Sequence, residues 1–63
     1  MYKIILVYTI ISELVIVTKV KTLSDKDEAK RLLYMLKEVY LKNKDYDVHE
    51  LALYKVKPVI TFK

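Results

Sequence analysis

The sequence contains no cysteine, no glycine and a single proline among its 63 residues. Without cysteine the chain has no disulfides, zinc ribbons or thiol nucleophiles, so its fold must depend on apolar packing or on association. Without glycine it has no glycine-rich phosphate-binding loop, and any turn that needs a positive φ angle must place another residue there. These absences remove several common classes of enzyme and favour a binding function.

The charge balance is moderately basic. Twelve lysine and arginine residues stand against eight acidic residues, for a net charge of +4, and Arg31 is the only arginine. An excess of this size suits an acidic protein or a nucleic acid as partner. Guanidinium groups are the preferred readers of guanine and phosphate, so the near absence of arginine argues against base-specific recognition.

The length and the apolar content predict one folded domain over residues 1–63. Apolar residues make up 54% of the chain, which argues against intrinsic disorder. A chain this short buries only about 60% of its unfolded surface, and this leaves little core for a catalytic cavity. We therefore expect no enzymatic activity, no cofactor, no metal and no small-molecule substrate.

The opening segment is strongly apolar but does not have the pattern of a membrane anchor. Its uninterrupted stretch runs for eight residues, from Ile4 to Ile11, whereas a spanning helix needs about 20. It also lacks the small-residue cleavage site of a secretion signal. We expect no membrane association and a cytoplasmic location, in the host cytoplasm if a virus encodes the chain. The β-branched and aromatic residues predict two strands, at 2–11 and 14–22, joined by a turn at 11–13.

Alternation along these strands assigns one face to the core. The even positions of both strands are the core candidates, so we expect them to face the helix. The even residues of both strands share a face only if the residue numbers of each directly opposed pair differ by an even number. Ile10 opposite Leu14 meets this condition and requires a three-residue loop. The positive φ angle of that loop would fall on Ser12 or Glu13. A five-residue loop is the alternative.

A helix should follow the second strand. Ser24 predicts the N-cap, with the helix beginning near Asp25 and acidic residues in its first turn. Asn43 predicts its end, in the left-handed conformation that glycine usually takes. An apolar arc of about 160° would lie on the sheet. Its members are Ala29, Leu32, Leu33, Met35, Leu36, Val39 and Tyr40.

Strand character returns at 49–56, before Pro58 interrupts the ladder of hydrogen bonds. Residues 59–63 could form a short edge strand or a tail. A right-handed crossover through the helix makes strand 3 parallel to strand 2, so placing strand 3 beside strand 1 makes every neighbouring pair antiparallel. The predicted fold class is α+β: a single β-β-α-β domain with a three-stranded antiparallel sheet in order 2-1-3 and one helix packed on one face.

Few residues are suited to catalysis. Ser12 and Ser24 have structural positions and His49 is the only histidine, so the sequence offers little for a serine–histidine–acid triad. Asp45, Asp47 and His49 alternate along the chain, and in an extended segment they would share a face that could hold a divalent metal ion. The alternative, which we favour, is a polar turn leading into a strand.

The back of the predicted sheet is apolar and uncovered. With one helix on the other face, nothing in the chain covers the odd positions, and apolar patches of several hundred Å² usually mark association sites. The alternative is an ordinary solvated strand face. We predict a surface that binds a protein partner or a second copy in a homodimer, comprising Ile5, Val7, Val15, Val17, Lys19 and Lys21.

A basic stripe on the outer face of the helix is the second candidate surface. Its lysines lie within about 40° of one another on a helical wheel, and with a neighbouring tyrosine they could meet nucleic acid or an acidic protein. The alternative is a solvated lysine face. The stripe comprises Lys26, Lys30, Tyr34, Lys37 and Lys44.

Together these patterns predict a small protein-binding module that occupies a surface of another macromolecule, with nucleic-acid binding as the alternative. The residue usage suggests an AT-rich coding source. The small size and the shortage of catalytic groups are typical of accessory proteins of phages and mobile elements, some of which inhibit host nucleases or defence complexes.

Overall fold

A computed structural model describes all residues from 1 to 63. The chain forms β1 (Tyr2–Ile10), β2 (Val15–Leu23), helix α1 (Lys26–Leu36) continued by a π-helical segment (Lys37–Leu41), then β3 (Tyr46–Tyr54) and β4 (Pro58–Thr61). The four strands make one antiparallel sheet in the order β2-β1-β3-β4. The helix packs on one face of this sheet, which we call the inner face; the other is the back face.

The α+β class, the single helix and the order 2-1-3 are confirmed, but the prediction of three strands is wrong. The chain turns after Tyr54 and pairs again with β3, placing Ile60 opposite Leu53. Pro58 begins this fourth strand rather than ending the sheet. Pro58 is the first residue of an edge strand and lies at a register shift of its ladder with β3, and both are places where proline is tolerated.

The predicted register of the first hairpin is also wrong. Ile10 pairs with Val15, so the loop has four residues, and the positive φ angle of 55° falls on Leu14. The Leu14 N–H donates to the Ile10 carbonyl oxygen at 2.8 Å and closes the turn. One extra loop residue reverses the faces of β2, because side chains alternate along a strand.

This reversal divides the predicted back-face surface. Even residues of β1 pair with odd residues of β2, so the odd side chains of β2 lie on the inner face beside the helix. Ile5 and Val7 stay on the back face, while the inner face receives Val15, Val17, Lys19 and Lys21. The physical reason is the turn: without glycine, the chain uses a longer loop that admits a leucine in the left-handed conformation.

The core lies between α1 and the two central strands. Its fully buried members are Ile4 and Leu6 from β1, Leu51 and Leu53 from β3, and Leu33 with the smaller Ala29 from α1. Tyr8 and Val48 extend it toward the π-helical segment. The predicted helix arc is too wide: Met35 and Val39 are 53% and 48% exposed.

The ends of the helix differ from the prediction in detail. Asp25, not Ser24, is the N-cap, and its carboxylate accepts a hydrogen bond from the Asp27 N–H at 2.8 Å. Asn43 is not left-handed. Its side-chain oxygen instead accepts from the Asp45 N–H at 2.9 Å, which forms the tight turn into β3.

Candidate protein-binding groove

A groove of about 420 Å³ runs between α1 and β2 on the inner face. Ile4 and Leu6 form its floor, Leu32 and Leu36 form the helix wall, and residues 19–21 of β2 form the opposite wall. Its lining is apolar except for Lys19 and Lys21. The groove therefore combines an apolar floor with positive charge along one side.

The groove exists because one helix is too narrow for this sheet. A helix with its side chains is about 10 Å wide, which is about the width of two strands. Helix α1 buries its side chains against β1 and β3, and the inner face of β2 is left open. Within β2 only Val17 and Leu23 are half-buried, and the other residues are exposed.

The helix also has more apolar surface than its own sheet covers. Ala29 and Leu33 point into the core with no exposed surface, Leu32 and Leu36 are half-buried at the groove, and Met35 lies beyond Leu32 on the same flank. The sequence indicates this excess of apolar surface, because the predicted apolar arc of about 160° is wider than the side of the helix that packs on β1 and β3. The prediction places the whole arc on the sheet, whereas one helix covers only about two strands.

Lys19 is held at one end of the groove by a tyrosine cluster. Its ammonium group donates to the Tyr40 hydroxyl at 3.3 Å and lies 5.8 Å from the centroid of that ring. The hydrogen bond with Tyr40 raises the pKa of Lys19 above its ordinary value of 10.5, so this lysine remains charged at neutral pH. It therefore brings a fixed positive charge to the groove.

The cluster itself consists of Tyr8, Tyr40 and Tyr46. Their ring centroids are separated by 4.7 Å between Tyr8 and Tyr40, 5.1 Å between Tyr8 and Tyr46, and 4.9 Å between Tyr40 and Tyr46. These distances are typical of stabilising aromatic pairs. Burial, followed by the neighbouring Tyr40, raises the pKa of Tyr8. The cluster anchors the π-helical segment, which supplies Tyr40, to the sheet.

The back face is apolar, but its β2 residues are not the predicted ones, because the reversal of β2 brings Ile16 and Val20 there, 67% and 55% exposed. Ile5 and Val7 are half-buried there, and Ala52 beside Ile5 is fully buried. The Tyr54 hydroxyl donates to the Glu50 carboxylate at 2.6 Å; these two residues flank Ala52 on the same face, so their linked side chains span it. The same hydrogen bond raises the pKa of Tyr54.

The structure holds part of the predicted basic stripe together. Lys37 lies 4.9 Å from the centroid of the Phe62 ring, and Tyr34 makes an edge contact with the same ring at 5.4 Å. Lys26 and Lys30 belong to the same helix. Lys44 follows the π-helical segment, whose wider turns break the 100° spacing on which its predicted position depended. Sequence reasoning did not identify Phe62, which lay in a segment assigned to an edge or a tail.

The three residues considered for a metal site are not brought together. His49 is the extra residue of a bulge opposite Val7 and Tyr8, and its Nε2 lies 2.6 Å from the Thr9 hydroxyl. Asp45 lies in the turn that precedes β3. No group of three or more histidine, aspartate or glutamate side chains is arranged to hold a metal ion.

Comparison with known proteins gives no relative: no family model, curated protein or solved structure matches the chain. None of the helices is both long and apolar enough to cross a membrane. The arguments about function therefore depend on the surfaces described above.

Proposed function

We propose that the protein is a binding module that holds an acidic amphipathic helix of a protein partner in the groove between α1 and β2. The observation that carries this proposal is an open groove whose floor and helix wall are apolar and whose β2 wall carries two lysines. Leu32 and Leu36 of the helix line this groove, and Met35, beyond Leu32 on the same flank, is 53% exposed. A second helix beside α1 would cover the groove and this flank of the helix at once.

The chemistry of the groove favours an acidic partner. Lys19 and Lys21 line the open side, and helix-in-groove recognition depends on apolar anchors at helical spacing with charge complementarity at the rim. An amphipathic helix with leucine-like anchors and acidic flanking residues meets both requirements. Inhibition of a host nuclease or defence complex would be one use of such binding, and it remains a prediction from composition.

The experiment compares two designed helical peptides that share their apolar positions and differ only in having glutamate or lysine on the polar flanks. We expect the acidic peptide to bind and the basic peptide to fail, as measured by fluorescence anisotropy. Lys21→Glu should lower the affinity for the acidic peptide about five-fold, because an exposed charge pair contributes about 1 kcal/mol to binding. Lys57→Glu makes the same charge change in the β3–β4 turn and should have no comparable effect. Equal binding of both peptides, or of neither, would count against the proposal.

Nucleic-acid binding is the second candidate because Tyr34, Phe62 and Lys37 form an aromatic and basic cluster on the opposite flank of α1, in which Tyr34 is 49% exposed. Aromatic rings beside lysines can stack unpaired bases and contact phosphates. The test is a low-salt mobility assay with single-stranded oligonucleotides. Binding should weaken steeply with salt and should be lost in the double variant Lys30→Glu, Lys37→Glu. No mobility shift at low salt would exclude this candidate.

A further inference from the structure

We propose that a second copy of this chain pairs with the outer edge of β2, forming a two-fold symmetric dimer whose sheet is continuous across eight strands. The inference does not depend on the groove proposal, because it concerns the backbone edge of β2 rather than the side chains of its inner face. The dimer places both helices on the same side of the joined sheet, with the two grooves meeting over the paired β2 strands.

The two edges of the sheet differ in how they are protected. At one edge, β4 has only four residues and begins with Pro58, and short strands with proline resist further pairing. At the other edge, β2 has nine residues without proline. Its ladder with β1 runs through nine pairs without a bulge, whereas both other ladders contain a register shift. The long, regular edge is the one open to another strand, and its only charges, Lys19 and Lys21, restrict the registers in which a second strand can pair with it.

The outward-pointing groups of β2 can be identified from two hydrogen bonds. The Ile11 N–H donates to the Asp45 carbonyl oxygen at 3.1 Å, so the backbone N–H and carbonyl groups of the odd residues of β1 point toward β3. The Leu51 carbonyl oxygen accepts from the Phe62 N–H at 2.9 Å, so the backbone groups of Leu51 point toward β4 and away from β1. Even residues of β1 therefore bond to odd residues of β2. The N–H and carbonyl groups left facing outward belong to Ile16, Thr18, Val20 and Thr22.

Charge then selects the register of an antiparallel pair between two copies of β2. A two-fold axis at Lys19 sets Lys19 opposite itself, and an axis at Val20 sets Lys19 opposite Lys21; like charges directly opposite one another are unfavourable. An axis at Thr18 avoids both. It sets Lys19 opposite Val17 of the second copy and Val20 opposite Ile16 of the second copy, and seven residues pair.

The absence of cysteine provides a clean test of this register. In a dimer centred on Thr18, the two Thr18 Cα atoms lie about 5.5 Å apart, within the disulfide range. The variant Thr18→Cys should therefore become a covalent dimer under mild oxidation. In the matched variant Val20→Cys, on the same strand and face, the Cα atoms of the two cysteines lie more than about 13 Å apart. This variant should remain largely uncrosslinked.

Sedimentation of the unmodified chain should give twice the 7.5 kDa chain mass at high concentration and the single-chain mass on dilution. Thr18→Pro should stay folded and become monomeric, because it removes an outward N–H and no hydrogen bond within the chain. Added salt should strengthen the dimer, because it screens the repulsion between lysines of both copies that lie on one face. The same salt should weaken binding of the acidic peptide. A single-chain mass at all concentrations, or crosslinking of Val20→Cys that equals or exceeds that of Thr18→Cys, would overturn the proposal.

Discussion

The inner face has two halves that differ in charge and in surroundings: β1 and β3 present apolar and aromatic side chains to the helix, whereas β2 places Lys19 and Lys21 on this face. Over β1 and β3 the helix buries Leu6, Leu51 and Leu53 completely, whereas over β2 Val15 stays 46% exposed. The difference follows from geometry, because one helix covers about two strands and this sheet has four. Apolar content alone therefore does not identify the core of a small domain; the number of covering elements decides which apolar residues are buried.

The largest expected effect is the contrast between two truncations in α1, one on the side that packs on β1 and β3 and one on the side of β2. Leu33→Ala should lower the free energy of unfolding by about 2–5 kcal/mol, because it leaves a cavity under the helix. Met35→Ala, on the groove flank of the same helix, should change it by less than about 0.5 kcal/mol, as is usual at exposed positions. Urea unfolding of both variants measures the contrast. Similar losses would mean that the groove flank is part of the core.

The sequence predicts β1, the helix and the strand order of the covered half, but it starts β3 at 49, whereas the strand begins at 46. The β-branched run at 2–10, the cap residues near Asp25 and the period of α1 are local signals, and the order 2-1-3 follows from connection rules. The uncovered half depends on a single loop residue. Because Leu14 takes the left-handed conformation, the hairpin gains one residue and β2 turns over. Nothing in local composition separates a three-residue loop from a four-residue loop when no glycine marks the position.

A second variant tests that loop and has a smaller expected effect. Leu14 is 84% exposed and adopts a φ angle of 55°, a conformation that costs a residue with a Cβ atom about 1 kcal/mol. Leu14→Gly should therefore raise the free energy of unfolding by about 1 kcal/mol, less the entropy that glycine loses on folding. Urea unfolding detects the change. A loss of stability would argue against the four-residue turn, and with it against the placement of Lys19 and Lys21 on the groove side.

The smallest expected effect lies outside both halves, at the end of the π-helical segment. Glu38 pairs with Lys42 at 2.8 Å, and this contact lowers the pKa of Glu38 below its ordinary value of 4.5. A lowered carboxyl pKa stabilises the folded state above pH 4.5, and that contribution is lost as the pH falls through the folded pKa. Lys42→Gln should flatten this acid dependence slightly in pH-dependent urea unfolding. Since the pair is exposed, the Lys42→Gln substitution should leave peptide binding unchanged. Weaker binding would mean that the groove extends to this end of the helix.

The most direct measurement of the central claim is methyl-resolved NMR during titration with the acidic amphipathic peptide. The account predicts that shifts concentrate on the methyl groups of Leu32, Leu36 and Val17, which face the groove or the inner side of β2. The methyl groups of Ile5 and Val7, on the back of the same sheet, should stay unchanged. Shifts confined to the back face, or spread evenly over both faces, would contradict the assignment of the groove as the docking surface.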